Sequence, residues 1–261
     1  MSTIQAIILA IIEGITEFLP ISSTGHMVLM SSFLGIEDDK FTKLFEVCIQ
    51  LGAILAVVVL YWKKFFDFSK YQFYIKLLLA VIPALIFGKL LDDVIDEHLG
   101  NPAFIATVML VGGIILLFVD DWFKNPIIHE EADINNITAV KIGLYQCLAV
   151  MFPGLSRSAA TIIGGMQQRL SRSLAAEFSF FLAVPTMTAA TGYKLLKFIK
   201  EEGSITGEQV KFLAIGNVVA FIVAVLAIKS FISILNKYGF KYFGIYRIIL
   251  GLVILITIFI K

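Results

Sequence analysis

The chain has 261 residues, of which 59% are hydrophobic and only 16% are charged, and its mean hydropathy is +0.91. A soluble protein of this length would need far more polar surface, so the composition indicates an integral membrane protein. The formal net charge of +1 gives no electrostatic reason to expect a nucleic-acid partner, and the bilayer is the expected environment.

The first polar cluster lies at residues 13–26 and reads EGITEFLPISSTGH. Apolar residues flank it on both sides, at 4–12 and 27–34, and Pro20 interrupts the stretch. Each apolar half is too short to cross a bilayer, which takes about 20 residues. The pattern therefore predicts a re-entrant hairpin, two short helices joined at a polar elbow. Such a hairpin is tolerated at membrane depth where it lines a cavity or is buried in protein.

A second stretch, 139–165, repeats this pattern: apolar residues lead to Pro153, then to the polar cluster PGLSRSAAT at 153–161, and apolar residues follow. The remaining apolar stretches are long enough to span a membrane. These predicted spans are roughly residues 43–62, 74–91, 102–119, 175–195, 210–232 and 245–260. The expected fold is an all-α polytopic membrane protein that forms a single integral membrane domain over 1–261.

The spacing of the two broken stretches indicates an internal repeat. Pro20 and Pro153 lie 133 positions apart, and the same offset carries the starts of the first two spans onto those of the fourth and fifth. Each half, about 1–120 and about 138–261, is predicted to contain one re-entrant hairpin and three transmembrane helices. Because three is odd, the second copy enters the membrane from the opposite side. Such inverted-topology repeats carry their functional site where the discontinuous helices meet.

Basic residues predict the orientation of the chain. The loop at 62–76 contains four lysines and is assigned to the cytoplasm, whereas the acidic loop at 92–100 is assigned to the outside. Both termini then lie outside. The stretch 194–211 opposes this assignment, because it carries four lysines although it is predicted to be external.

Two carboxylates stand out in the first cluster. Glu13 and Glu17 are four residues apart, so they share one face of a helix. Such a pair can hold a divalent cation, Mg²⁺ or Ca²⁺. Alternatively, one of the two can act as a general base.

Hydroxyl groups and an imidazole follow the proline of the same cluster. Ser22, Ser23 and Thr24 begin the second half-helix, where hydroxyls cap the helix and free backbone N–H groups favour an anion. His26 lies one turn further along. An imidazole there can transfer protons or attack phosphorus directly.

The second cluster combines hydroxyl groups with the positively charged side chain of an arginine. Ser156, Arg157 and Ser158 open a helix, and Thr161 lies one turn beyond on the same face as Arg157. The planar guanidinium suits phosphate oxygens. Carboxylates, an imidazole and an anion clamp inside a membrane point to phosphoryl transfer on a lipid phosphate.

A transporter or flippase of a phosphorylated polyprenyl lipid is the alternative, since inverted repeats with broken helices are typical of secondary transporters. His26 beside two glutamates favours the phosphatase, because a protein that only binds an anion has little need of that group.

The chain resembles the BacA/UppP family, the undecaprenyl-diphosphate phosphatases of bacterial cell-wall synthesis. The resemblance covers the whole chain and rests on residues 13–26 and 153–161, on FEVCIQ at 45–50 and on EFSF at 177–180. It implies a hydrolase that acts on a phosphoric anhydride and converts undecaprenyl diphosphate to the monophosphate with a divalent cation. It further implies peptidoglycan synthesis, bacitracin tolerance, and a multi-pass protein of the bacterial inner membrane whose active site opens to the periplasm. A homodimer is possible.

Carried over by position, the resemblance assigns roles to the site residues. Glu13 and Glu17 would hold the metal or activate the nucleophile. The nucleophile is Ser23, His26 or water, and the shared elbow favours Ser23 with Glu17 as its base. The residues expected to grip the diphosphate are Ser22, Thr24, Ser156, Arg157, Ser158 and Thr161.

Overall fold

The structure is a computed structural model that describes residues 1–260, with the side chains at positions 93 and 96 outside that description. Within that range the fold is all-α, as predicted. The helices are α1 (Thr3–Thr16), α2 (Ser23–Phe33), α3 (Lys40–Cys48), α4 (Gln50–Leu60), α5 (Trp62–Phe65), α6 (Tyr71–Leu90), α7 (Asp92–Leu99), α8 (Pro102–Leu116), α9 (Val119–Trp122), α10 (Asn136–Met151), α11 (Arg157–Gln167), α12 (Arg172–Glu202), α13 (Gly207–Tyr238) and α14 (Lys241–Ile260).

Five helical segments are long and apolar enough to cross a membrane: Lys40–Leu60, which combines α3 and α4, and the helices α6, α12, α13 and α14. They correspond to five of the six predicted spans. The sixth, predicted at 102–119, differs, because α8 is a shorter helix of 15 residues that ends at Leu116. A helix of that length is about 22 Å long, which is less than the hydrocarbon thickness of about 30 Å.

Both predicted elbows are present as breaks between short helices. The first joins α1 to α2 and the second joins α10 to α11, and within each pair the two helices pack together. At each break a serine caps the following helix: Ser22 Oγ accepts from the Gly25 N–H at 3.2 Å, and Ser156 Oγ accepts from the Ala159 N–H at 3.3 Å. The two elbows thus end in the same local structure.

These two capping serines have an uncommon backbone. Ser22 has φ = 70° and Ser156 has φ = 73°, in the left-handed region that residues other than glycine seldom occupy. Such conformations cost roughly 1–3 kcal/mol and persist only where the surroundings hold them. Tertiary contacts must therefore fix both elbows.

The first helix of each elbow packs on a long helix from the other half of the chain. Helix α1 packs against α13, and α10 packs against α6. Helix α12 lies centrally, in contact with α4, α6 and α11. Glycines allow the closest approaches: a Cβ at Gly52 would collide with the backbone of Asn217, and one at Gly143 would collide with the backbone of Ala80. Small residues at such crossings are typical of membrane helices.

An ion-pair cluster involves two of the four lysines that opposed the predicted orientation. The Asp92 carboxylate lies 3.1 Å from Lys194 Nζ and 2.8 Å from Lys197 Nζ. Both lysines belong to α12 rather than to a loop, and the Asp92 carboxylate offsets part of their charge. The cluster also places 92–100 and the end of α12 at the same end of the helices, as the predicted topology requires.

Candidate active site

The two elbows contact each other directly. Ser158 Oγ donates a hydrogen bond to the Leu19 carbonyl at 2.8 Å, and Arg157 Nη2 donates to Glu17 Oε1 at 2.9 Å. A hydroxyl and a guanidinium from the second elbow therefore bind the backbone and a carboxylate of the first. The structure brings together the two clusters that the sequence places 133 positions apart.

Glu17 is the centre of this contact. Its side chain is buried, and its two oxygens have different partners: Oε1 accepts from Arg157, whereas Oε2 accepts from Ser23 Oγ at 2.7 Å. A hydroxyl bonded to a carboxylate is the arrangement of a nucleophile and its general base. Arg157 on the other oxygen holds the Glu17 carboxylate in place.

Glu13 lies behind Glu17 and is only 1% exposed. Glu17 lies one helical turn further along on the same face, and both side chains are buried. Oε1 of Glu13 is buried without a hydrogen-bond partner, as is Oε1 of the half-buried Glu46. Sequence reasoning gave Glu46 no role, although it belongs to the FEVCIQ motif.

The carboxyl pair fits a divalent cation. Among the described residues, no group of three or more His, Cys, Asp and Glu side chains is arranged to hold a metal. Mg²⁺, however, is commonly bound by one or two carboxylates, with waters and substrate phosphates completing its shell. The unpartnered oxygen of Glu13 beside Glu17 provides such an incomplete set of ligands.

Arg157 is anchored on one side and free on the other. Nη1 donates to the Ser179 carbonyl at 2.9 Å and to Ser179 Oγ at 3.3 Å, and the guanidinium lies 6.0 Å from the centre of the Phe18 ring. Its Nε–H is buried without a partner. Because buried donors are almost always satisfied, this N–H is available to an anion.

Two of the expected phosphate ligands lie behind Arg157. Thr161 is fully buried, and its hydroxyl bonds the Arg157 carbonyl at 2.9 Å and Ser179 Oγ at 2.7 Å. Ser158 is fully buried as well, and it bonds the first elbow and Ser156 Oγ. In this arrangement both hydroxyls position the elbow and the arginine. Sequence reasoning could not see this, because the direction of these side chains depends on the neighbouring helices.

The remaining predicted ligands lie at the first turns of α2 and α11. Ser22 is buried and serves as the cap, whereas Ser23, Thr24 and Ser156 are half-buried. The first N–H groups of a helix have no acceptor within the helix. These residues therefore lie beside backbone donors that an anion can use.

His26 is held at both ring nitrogens. Nδ1 lies 2.7 Å from the Ser22 carbonyl oxygen, and Nε2 lies 2.8 Å from the hydroxyl of Tyr246. A carbonyl oxygen can only accept, so the proton is on Nδ1. Tyr246 was not predicted as a site residue, since it lies 220 positions away in α14.

Like Tyr246, Arg247 contacts the site but was not predicted as a site residue. It is fully buried, and its guanidinium donates to the carbonyls of Leu155 at 2.8 Å, Gly154 at 2.9 Å and Pro20 at 3.3 Å. One arginine thus bonds both elbows. A signal was present, because an ionisable residue inside a predicted span indicates a functional position.

A family model described as bacitracin resistance protein BacA matches residues 6–253. The chain belongs to the BacA family. A BacA-family relative from Flavobacterium johnsoniae, named undecaprenyl-diphosphatase, is 59% identical over 260 residues, which cover 99% of this chain and 97% of the relative. Relatives with the same name from Porphyromonas gingivalis and Bdellovibrio bacteriovorus are each 51% identical, over 96% and 99% of this chain and 95% and 97% of their own lengths. The resemblance found in the motifs is confirmed.

Gly112 provides the space that Arg247 occupies, and this gives a test. A Cβ at Gly112 would collide with Arg247 Nη2, so Gly112→Ala should displace the guanidinium from the elbow carbonyls. We expect a loss of roughly 1–3 kcal/mol of stability, measured as a lower melting temperature in detergent. Gly88→Ala in α6, where no atom lies within 4 Å of the added Cβ, is the matched control and should not lower it. Equal melting temperatures for the two variants would contradict the proposed role of Arg247.

Proposed function

We propose that this chain is a membrane phosphatase that hydrolyses undecaprenyl diphosphate to undecaprenyl phosphate and inorganic phosphate. The observation that carries the proposal is the chain of contacts from Ser23 through Glu17 to Arg157, in a protein of the BacA family. It places a nucleophile, a base and an anion-binding group at one site. The reaction recycles the lipid carrier of cell-wall synthesis, and tolerance of bacitracin follows from it.

In the first step Ser23 Oγ attacks the terminal phosphorus, and its proton passes to Glu17 Oε2, 2.7 Å away. The bond between that phosphorus and the bridging oxygen breaks, and undecaprenyl phosphate leaves. Arg157 Nε and the first N–H groups of α2 bind the phosphate oxygens as charge develops. A phosphate leaving group needs no proton, so Glu17 retains the one it has received.

In the second step water attacks the phosphorus of phosphoserine. We assign His26 Nε2 as the group that finally receives the water proton, because Nδ1 already carries a proton and donates to the Ser22 carbonyl. The Ser23 oxygen departs and takes back the proton held by Glu17. The enzyme returns to its starting state when His26 releases its proton to solvent.

Glu13 and Glu17 are the residues that would hold a divalent cation, Mg²⁺ or Ca²⁺. The unpartnered Oε1 of Glu13 supports this assignment. When bound, such an ion supplies positive charge to the phosphate oxygens.

Ser23 rather than His26 is the proposed nucleophile. The Ser23 hydroxyl is bonded to a carboxylate that can take its proton, whereas both nitrogens of His26 are engaged by Ser22 and Tyr246. Activation by an adjacent base is what a serine nucleophile requires.

We further propose that the single domain consists of two inverted repeats, about 1–120 and 138–261. The helix contacts support this: α1 packs on α13 of the other half, and α10 packs on α6 of the first half. The last helix of each half, α8 and α14, pack on each other, and the glycines at the crossing do so reciprocally: a Cβ on Gly113 would meet the carbonyl of Gly244 and vice versa. These pairings are what a pseudo-two-fold axis would produce.

The same pairing favours a second candidate function, the movement of a phosphorylated polyprenyl lipid across the membrane. Inverted repeats with discontinuous helices are the common architecture of secondary transporters. In that case Arg157 and the two helix N-termini would bind the lipid phosphate without cleaving it.

The decisive test of the phosphatase is phosphate release from undecaprenyl diphosphate by the purified protein. We expect turnover with Mg²⁺ or Ca²⁺, loss of turnover with EDTA, and a fall of at least 10³-fold for Ser23→Ala, which lacks the nucleophile. His26→Ala should slow turnover by about 10²- to 10⁴-fold, the usual contribution of a general base. If the wild type released no phosphate but moved the lipid between liposome leaflets, the transporter would be the better proposal.

Arg157→Lys tests the anion clamp. Lysine keeps the positive charge but loses Nε and the planar fork that binds Glu17 and Ser179, so we expect kcat/KM to fall by at least 10²-fold. Arg169→Lys, on the helix end away from the elbow, is the control and should turn over like the wild type. Near-native kcat/KM for Arg157→Lys would show that charge alone suffices there.

The proposed orientation places the loop after α2 on the periplasmic side. In a variant in which the buried Cys48 and Cys147 are replaced by alanine, a cysteine at Asp38 should react with a membrane-impermeant maleimide in intact cells. A cysteine at Lys124, between the halves, should react only after the membrane is permeabilised. The reverse pattern would invert the topology.

A further inference from the structure

The hydroxyl of Tyr246 is the only partner that the described residues provide for His26 Nε2. The two atoms are 2.8 Å apart, and the rings are nearly parallel, with an interplanar angle of 10° and centroids 5.6 Å apart. Parallel rings at this centroid distance, joined by a short contact at their edges, indicate a hydrogen bond close to the plane of the imidazole. The catalytic steps described above make no use of this bond.

The contact of His26 Nδ1 determines which group is the donor in the hydrogen bond between His26 and Tyr246. Because the Ser22 carbonyl can only accept, His26 Nδ1 carries the proton, and the lone pair of the neutral ring is on Nε2. Tyr246 must then donate its O–H to Nε2. Once His26 is protonated, the same hydroxyl can turn and accept from Nε2–H, since a phenol both donates and accepts. One tyrosine can therefore hold the ring in both states.

The backbone of Tyr246 is tied to the site by its neighbour. Arg247 is fully buried and bonds the carbonyls of Pro20 and Leu155, so this turn of α14 is fixed against both elbows. Tyr246 itself is 45% exposed, which leaves its hydroxyl at the edge of the site. The helix thus presents two consecutive residues to the elbows, one to their carbonyl groups and the other to His26.

We propose that Tyr246 relays the proton of the attacking water to His26: its O–H holds the imidazole in the tautomer with the proton on Nδ1, and its oxygen takes a proton from the water as its own proton passes to Nε2. The inference rests on the proposed function and deepens it. Without the hydroxyl, the imidazole keeps its bond to Ser22 but loses the group that passes the proton to Nε2, so a water must occupy the place of the hydroxyl before a proton can be transferred. The effect falls on the catalytic rate, since Tyr246 does not bind the diphosphate.

The kinetic test compares Tyr246→Phe with Tyr242→Phe. Phenylalanine keeps the ring and removes only the hydroxyl. Tyr242 lies one turn earlier in α14, and its ring packs on that of Tyr238, so it is the matched control. We expect kcat to fall about 10-fold for Tyr246→Phe with KM changed less than twofold, and no change for Tyr242→Phe. Melting temperatures within about 2 °C of the wild type would show that both variants are folded.

A double-mutant cycle shows whether Tyr246 acts through His26. If it does, His26→Ala combined with Tyr246→Phe should be no slower than His26→Ala alone. Additive losses, or wild-type kcat for Tyr246→Phe, would overturn the relay while leaving the phosphatase intact. Full activity in both Ser23→Ala and His26→Ala would instead overturn the proposed site.

The tautomer itself can be observed by nitrogen NMR on protein labelled at histidine, with the His26 signals assigned by their loss in His26→Ala. In the wild type we expect a protonated Nδ1 and an unprotonated Nε2 that accepts a hydrogen bond. Tyr246→Phe should shift the Nε2 signal towards that of a nitrogen without a donor, and Tyr242→Phe should not. An unshifted Nε2 in Tyr246→Phe would exclude the hydrogen bond and the proposal with it.

Discussion

The site depends on one buried guanidinium. Arg247 has no carboxylate partner among the described residues, and its charge is balanced only by backbone carbonyls, two on the second elbow, one on the first and one in α8. Burying a charge is costly unless its hydrogen bonds are satisfied, so those carbonyls must keep their positions. The strained conformations of Ser22 and Ser156 lie next to these contacts, which explains how they persist. Because Arg247 holds the two breaks in place relative to each other, it also holds the first turns of α2 and α11 at the site.

The two halves contribute alike to the scaffold but unequally to the chemistry. At the position that the 133-residue offset relates to Glu13, the second half has Gln146, which is fully buried and bonds Thr186. The first elbow carries Glu17, Ser23 and His26, whereas the second carries Arg157. Under the proposed repeat, two similar elbows therefore provide different side chains, and a carboxylate of one pairs with the guanidinium of the other.

The sequence predicted the elements that depend on local pattern. Pro20 and Pro153 mark the two breaks, and the apolar runs predicted five of the spanning helices. The pattern also predicted that the two polar clusters come together, and the contact of Glu17 with Arg157 joins them. What the sequence could not provide depends on distant contacts: the inward direction of Thr161, the length of α8, and the bond between His26 and Tyr246. A structural role of Arg247 could have been predicted, because an arginine in an apolar span needs a partner. Its partners could not, because they are backbone carbonyls, which every residue has.

The balance of charge at the elbows gives a physical reason to expect a bound divalent cation. Three carboxyl groups, on Glu13, Glu17 and Glu46, face two guanidinium groups, on Arg157 and Arg247, so fully ionised residues would present excess negative charge to an anionic diphosphate. The divalent cation proposed at Glu13 and Glu17 would offset this charge, with the unpartnered Oε1 of Glu13 as one of its ligands. Binding of the cation and of the substrate would then reinforce each other.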